Sequence, residues 1–435
     1  MLVRTRFAPS PTGQVHIGNL RAAIFNWLFT RHEGGQFLLR VEDTDRERST
    51  PEAVQAVLAA MEWLGLTTDG EPLYQSTRRG AHLAAAEQLL RSGHAYKLDK
   101  GGTGKGEAIL FKMPGTDMGF HDLIKGDLKK EAAGLPDFVI VRSDGNPVFH
   151  LANVVDDIHM NITHVIRGDD HVENTYRHVA LFQALGAPVP QYAHLPMIVN
   201  AQGKPYSKRD GAAYVGDFRD KGYEADALFN YLALLGWNPG DDREVMGRDE
   251  LIAAFTLDRV QSKAAQFDFR KFEWMNAEYL KKQPADAYRQ RFRRELEQHG
   301  LWSPAFTEAY LDQVCALMRE RIKLWSDVAP QSGYFFTEQY PFDADAVRKR
   351  LQKEGAREHL AALRAAYAAL PAFDAAATEA ALRATADARG VNASELIHPL
   401  RVAVTGLPGG PSLFHLLEVL GRDRVLARLD RPFPS

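Results

Sequence analysis

Two stretches far apart in this 435-residue chain carry residue types suited to gripping phosphate. The first is APSPTGQVHIGN at residues 8–19. Pro9 and Pro11 fix φ and stiffen the segment, Gly13 and Gly18 let a backbone approach a bound group closely, and His16 can donate to that group. The second is GKPYSKRDG at residues 203–211, where Lys204, Lys208 and Arg209 place cations on a glycine-flanked loop. Such a loop suits negative charge that spreads over phosphoryl oxygens in a transition state. Taken singly, a histidine at a helix start is more often a cap, and an SKR run is more often plain surface. Their occurrence together, each leaving a strand, gives them weight.

The elements that must position them follow from the pattern. Leu2–Ala8 reads as a strand and residues 9–18 as a loop. Asn19–Arg31 reads as a helix, with Leu20, Ala23, Ile24, Trp27 and Leu28 at helical spacing and Gly34 and Gly35 ending it. Phe37–Glu42 is the next strand. This β-loop-α-β unit seeds a parallel, doubly wound sheet, and unpaired N–H groups collect with the positive helix end at His16. Ile162–Ile166 and His194–Val199 read as further strands, so the second cationic stretch also leaves a strand end, where such sheets bind ligands. Between them, Arg79–Ser92 reads as a helix, residues 100–106 as a glycine-rich turn, and Phe138–Arg142, Asp144, Gly145 and Val148–Leu151 as a β-hairpin. From Asp217 the texture turns helical. Residues 227–237 form a buried helix ending at Gly236, and amphipathic blocks at 286–298, 305–325, 344–368 and 375–388 make the last third all-helical.

Composition narrows the class. With 53 Lys and Arg against 56 Asp and Glu, 45% hydrophobic and 25% charged residues, the chain is an ordinary globular one of net charge −3. Its one cysteine, Cys315, excludes an internal disulfide and a zinc site built on paired thiolates. No apolar stretch approaches the length that spans a bilayer, and MLVRTRFAPS lacks the apolar core of a signal peptide, so a cytoplasmic protein is expected. Basic clusters at Arg289–Arg294, Arg319–Lys323 and Arg348–Arg350 suit either phosphate contact or a solvated helix face.

The motifs together resemble the class I aminoacyl-tRNA synthetases, and within them the bacterial glutamyl branch. HIGN at 16–19 is similar to the family's HIGH signature and YSKR at 206–209 to its KMSKS signature. RFAPSPTG at 6–13, EDTD at 42–45, HLANVVDD at 150–157, VIRGDDH at 165–171, FNYLALLGW at 229–237 and LRVAVTG at 400–406 extend the resemblance along nearly the whole chain. It implies an α/β fold: a doubly wound Rossmann-type catalytic domain with a short α+β insertion, followed by an all-helical anticodon-binding domain. The expected division is 1–71 and 137–212 for the two catalytic halves, 72–136 for a shortened acceptor-binding insertion, 213–280 for a stem-contact domain and 281–435 for the anticodon domain.

The implied reaction joins L-glutamate to tRNA(Glu) through a glutamyl-adenylate, with ATP as co-substrate and Mg2+ arriving on its phosphates. By this resemblance His16 and Lys208 are the catalytic residues. Gly13, Gly18, Asn19, Ser207 and Arg209 join them around ATP, and Arg6, Ala8, Ser10, Glu42, Phe149, Asn153 and Arg167 surround glutamate. The physics agrees: two carboxylates and one ammonium call for two cations and one anion, here Arg6, Arg167 and Glu42. No protein metal site, zinc included, and no membrane partner is expected, and the enzyme is expected to act as a monomer.

Three departures from the family stand out. Phe149 replaces a usual tyrosine, Pro205 occupies the first lysine position of the cationic loop, and the segment between Tyr96 and Leu110 is short and without zinc ligands. A glutaminyl-tRNA synthetase, a paralogue that modifies a tRNA base and a non-catalytic tRNA-binding paralogue are the competing readings. The first carries a C-terminal part of β-barrel character, and the second resembles the catalytic half alone. The third would bind tRNA with strong salt dependence and form no adenylate.

Overall fold

The expected β-loop-α-β unit opens the computed structural model, which describes residues 2–11, 13–45, 48–99 and 106–433, with the side chain of Lys208 outside that description. The glycine-rich turn expected at 100–106 lies outside the described residues except for Gly106. The chain divides into two compact units, Met1–Asp220 with Ala225–Met275, and Lys221–Glu224 with Asn276–Ser435.

In the first unit, strands Arg4–Phe7 and Gln36–Val41 run parallel with Phe7 opposite Leu39, and helix Ile17–His32 connects them. The helix is enclosed on most sides, with Leu20, Ala23, Ile24 and Leu28 wholly buried, as a helix lying between layers must be. Several of its polar groups bond inward. The Asn26 amide donates to the Ile166 carbonyl at 2.9 Å, and the Thr30 and Thr5 hydroxyls meet at 2.6 Å.

Leu73–Tyr74 pairs in parallel on the far side of Gln36–Val41. On the other side of Arg4–Phe7 comes His164–Gly168, tied on by the Thr163 amide donating to the Arg4 carbonyl at 3.0 Å. His164–Gly168 pairs in parallel with Gln191–Leu195, which sets Arg167 opposite His194. The chain thus extends from its first strand in both directions, and this change of direction opens a crevice beyond the strand C-termini. Met118–Asp122 and Gly126–Lys130, inside the 72–136 stretch, continue the same sheet: Asp122 lies opposite Tyr192, and the Leu123 amide reaches the Tyr192 carbonyl at 2.8 Å. Ala95–Leu98, Ala108–Phe111 and Phe138–Val141 form a separate antiparallel sheet.

The hairpin expected over 138–151 forms only its first arm and its turn. The Arg142 amide reaches the Asn146 carbonyl at 2.9 Å and Val141 bridges to Pro147, but Phe149–His159 is a helix. The turn chemistry is as read. Beyond it, the buried Leu151, Ala152 and Val154, with Ile158 one turn on, follow a helical period that outruns a short strand.

The second unit is helical, and no strand occurs among its described residues. The helices expected at 286–298 and 375–388 are Ala285–Gln298 and Ala375–Ala388. The block at 305–325 contains the shorter Glu308–Met318. The block at 344–368 is interrupted at Gly355, whose φ of +78° favours glycine, and resumes as Ala356–Ala368. Tyr334, Phe335 and Phe336 are buried in this unit's core, and Arg289, Arg291, Arg293 and Arg348 are all engaged in ion pairs.

Glu338 ties the end of this unit together, bridging Arg424 at 2.7 Å, Arg428 at 2.8 Å and Arg431 at 2.7 Å. Burial opposes the charged form, but Arg428 and Arg424 hold the carboxyl down at about 2. Glu338 is 40% exposed, so solvent screens part of the attraction. Glu338→Gln is therefore expected to cost this unit about 1–2 kcal/mol, measured as a lower thermal midpoint. The stabilisation is complete above the unfolded-chain pKa of ~4.3 and is lost as pH falls toward the folded value.

Candidate active site

A cleft of about 700 Å³ opens at the C-terminal ends of Arg4–Phe7, Gln36–Val41, His164–Gly168 and Gln191–Leu195. Its wall includes Arg6, Ala8, Ser10, His16, Gly18, Asn19, Glu42, Phe149, Asn153 and Arg167, all read from the sequence as site residues. Pro205 and Tyr206 of the cationic loop reach the same cleft, so the two stretches singled out in the sequence converge. Gly13, Ser207 and Arg209 are not among the wall residues. Ser207 is occupied locally, its amide and hydroxyl donating to Asp210 at 2.9 and 3.0 Å. The main chain of Lys208 lies in the short turn Lys208–Asp210, and its side chain is outside the description.

His16 caps helix Ile17–His32, its Nδ1 accepting from the Gly18 amide at 3.1 Å. A Cβ on residue 18 would sit 3.3 Å from that nitrogen, close enough to press the ring out of place by a few tenths of an ångström. Burial lowers the His16 pKa more than its main-chain contact with Tyr206 raises it, so the ring is neutral near pH 7. With Nδ1 accepting, the proton resides on Nε2, where it can be donated to a ligand. The loops are fixed to one another. The Ile17 amide donates to the Ala213 carbonyl at 3.0 Å, and the Tyr206 amide to the Ile198 carbonyl at 3.0 Å. Tyr206 is buried with its ring centroid 4.7 Å from that of Phe267.

The floor of the cleft is an ionic network. Arg6 Nε donates to Asp157 at 3.0 Å. Arg40 donates both to Asp157 and, at 3.2 Å, to Glu42, and Asn153 Nδ2 donates to the same Glu42 oxygen at 3.0 Å. Burial would raise the Asp157 pKa, but Arg40 and Arg6 hold it below its ordinary value. Because a carboxylate only accepts, the Glu42 contact fixes the orientation of the Asn153 amide and turns its Oδ1 away. That oxygen is buried and has no hydrogen-bond partner.

Arg167 differs from the other two arginines. It is buried and bonded to Thr175, His171 and His194, yet among the described residues no carboxylate forms an ion pair with it. Burial lowers its pKa to about 10. Three guanidinium groups thus face two carboxylates on the floor, leaving one positive charge, while Glu42 on the cleft wall offers an anion for an ammonium. Phe149 closes one side, edge-on to His150 at 5.4 Å.

Sequence reasoning missed Arg40, Asp157 and His194. Arg40 is a lone charge inside the apolar strand QFLLRV, and Asp156 and Asp157 are adjacent acids inside an apolar helix pattern, and either is a signal for a buried ionic pair.

Comparison with known proteins places this cleft in a family. Residues 2–103 and 98–274 match the model "tRNA synthetases class I (E and Q), catalytic domain", and residues 285–432 match "Anticodon binding domain". The glutamate–tRNA ligase of Stenotrophomonas maltophilia is 42% identical, across 99% of this chain and 98% of that protein. Glutamate–tRNA ligase 1 of Caldanaerobacter subterraneus is 36% identical, across 99% and 97%. The crystal structure of a glutamate tRNA ligase from Elizabethkingia meningosepticum, in complex with its amino acid, superimposes with a TM-score of 0.87 at 29% identity, covering 99% of both chains. With both the catalytic and the anticodon parts matched in order, the chain belongs to the class I tRNA synthetases of the E and Q type, in their glutamate–tRNA ligase branch.

Proposed function

We propose that this protein joins L-glutamate to tRNA(Glu) at the expense of ATP, acting as a cytoplasmic monomer. The observation that carries the substrate is Arg167, a buried cation on the cleft wall whose missing counter-ion a glutamate carboxylate supplies, with Glu42 of the same wall receiving the ammonium. Arg6, Ala8, Ser10 and Phe149 complete the pocket. The residual positive charge of the floor complements the net negative charge of an acidic amino acid and gives no such advantage to glutamine.

The α-carboxylate attacks the α-phosphorus of ATP, pyrophosphate leaves, and the terminal adenosine of tRNA then attacks the adenylate carbonyl. No covalent enzyme nucleophile is required; the protein positions the reactants and stabilises charge. His16 Nε2–H, at the positive end of its helix, donates to the phosphates with Gly13, Gly18 and Asn19 beside it, and Ser207, Lys208 and Arg209 close from the other loop. Magnesium supplies further charge neutralisation on the ATP phosphates. The nearby acids do not build a cage for it: Asp43 is held by Ser76 at 2.8 and 2.6 Å, and Asp169 by Lys125 at 3.0 Å. Residues 1–71 and 137–212 serve as the catalytic halves, 72–136 receives the acceptor end, 213–280 contacts the stem and 281–435 reads the anticodon.

Aminoacylation of purified tRNAs for glutamate and for glutamine, with each labelled amino acid, tests this reading. Glutamate is expected to be incorporated, and His16→Ala and Lys208→Ala each to lower kcat by about tenfold to a hundredfold, the range for losing a hydrogen bond to a charged group. Failure to charge any tRNA with glutamate would defeat it. Phe149→Tyr restores the usual hydroxyl, and a new hydrogen bond of ~0.5–1.5 kcal/mol is expected to lower the glutamate KM by up to about tenfold.

A further inference from the structure

Arg167 is held by neutral imidazoles in place of carboxylates. Its Nε donates to His194 Nε2 at 3.3 Å, Nη2 to Thr175 Oγ1 at 2.7 Å and to the His171 carbonyl at 3.3 Å, and Nη1 lies 3.4 Å from His178 Nδ1. The Tyr192 ring lies under the guanidinium at 5.6 Å. Behind this layer is a second. His194 Nδ1 lies 2.6 Å from Asp122 Oδ2, with both side chains wholly enclosed. His178 Nε2 lies 3.2 Å from His150 Nδ1. Burial lowers the pKa of His194, His178 and His150, the last to about 4, so these rings are uncharged near pH 7.

Asp122 decides which nitrogen of His194 carries the proton. Its Oδ1 accepts from the Ile124 and Lys125 amides at 3.0 and 2.9 Å, and its Oδ2 accepts from the His194 amide at 3.1 Å. The carboxylate can only accept, so Nδ1 of His194 must donate to it and Nε2 is left as an acceptor, 3.3 Å from Arg167 Nε and 3.0 Å from the Thr175 hydroxyl. A carboxylate in direct contact with Arg167 would cancel the charge the substrate needs. An imidazole oriented from behind fixes the guanidinium and leaves its charge in place.

We infer that Asp122 and His194 are positioning residues that hold Arg167 in place and uncompensated for a substrate carboxylate. The strand Met118–Asp122, inside the stretch assigned to the acceptor insertion, thereby takes part in amino-acid selection. The inference rests on the proposed glutamate site.

Steady-state charging kinetics of the full-length enzyme provide the test, with KM measured separately for glutamate and for ATP. In Asp122→Asn the side-chain oxygen keeps the Ile124 and Lys125 amides, so the new amino group faces His194. That drives the His194 proton to Nε2, where it opposes the Arg167 Nε donor and can turn only toward the Thr175 hydroxyl that Arg167 Nη2 also uses. The glutamate KM is expected to rise about tenfold to a hundredfold, the range for a lost hydrogen bond to a charged group, with the ATP KM within about twofold. His194→Gln places an amide oxygen where Nε2 stood and is expected to stay within about tenfold of wild type. His194→Asn keeps only the Asp122 side of the relay and is expected to behave like Asp122→Asn. These two variants carry the test if Asp122→Asn does not fold. Parallel rises in both KM values, equal effects of His194→Gln and His194→Asn, or an unchanged glutamate KM in folded Asp122→Asn would overturn the inference. Absence of glutamate charging by the wild type would instead overturn the functional reading beneath it.

Discussion

Arg167→Gln is expected to raise the KM for glutamate by roughly a hundredfold to a thousandfold while the KM for ATP stays within about twofold. The reason is the missing counter-ion. On the proposed function, a buried guanidinium with no ion-paired carboxylate among the described residues offers its charge to the substrate, and removing one partner of such a desolvated pair costs about 2–5 kcal/mol or more. The free enzyme should respond quite differently. Burial opposes the Arg167 charge and lowers its pKa to about 10. Glutamine's amide reaches only the position of Arg167 Nε, where it can donate to His194, and it carries no charge to desolvate, so stability is expected to fall by about 1–2 kcal/mol, less than breaking a buried ion pair costs. Kinetics and chemical denaturation of the same preparation measure both halves. An unchanged glutamate KM in a folded variant would remove Arg167 from the substrate site.

Asp157→Asn should destabilise the protein more strongly, even before substrate is added. Asp157 is the shared anion of Arg6 and Arg40, and neutralising it leaves two buried guanidinium groups with Glu42 alone. Breaking a buried ion pair from one side costs about 3–5 kcal/mol, and that loss is expected in the denaturation of the first unit. The pH dependence has a definite sign. The folded Asp157 pKa is depressed, so its contribution is complete above the unfolded value of ~3.9 and is lost as pH falls below it through the folded value. The wild type should therefore lose stability below about pH 4 more steeply than Asp157→Asn. Equal acid sensitivity of the two proteins would show that Asp157 carries no such contribution.

Much of the architecture was legible in the chain itself. The spacing of Leu20, Ala23, Ile24, Trp27 and Leu28 fixes a helix, the glycines after it fix its end, and the loop before it can only open onto the helix start, because Pro9, Pro11 and Gly13 cannot extend a strand or a helix there. Local rules of this kind act over a few residues, so they survive without knowledge of the rest. They fail where a distant contact outweighs them. At 138–151 the turn reads correctly, yet the second arm is the start of Phe149–His159, since burying Leu151, Ala152 and Val154 on one helix face outweighs pairing with Phe138–Val141. In the 344–368 block the apolar period runs straight through Gly355, and only the backbone shows the break there.

The sequence alone determined which residue types line the cleft, because those are properties of His16, Arg6, Glu42 and Arg167 and of the short motifs around them. What the tertiary structure decided is how the charges are shared. That Arg6 and Arg40 divide Asp157, that Asn153 donates to Glu42, and that Asp122 reaches Arg167 through His194 all depend on strands brought together by the sheet. Coulomb and hydrogen-bond energies fall off over a few ångströms and have no fixed relation to separation along the chain, so they become readable only once the fold has set the distances.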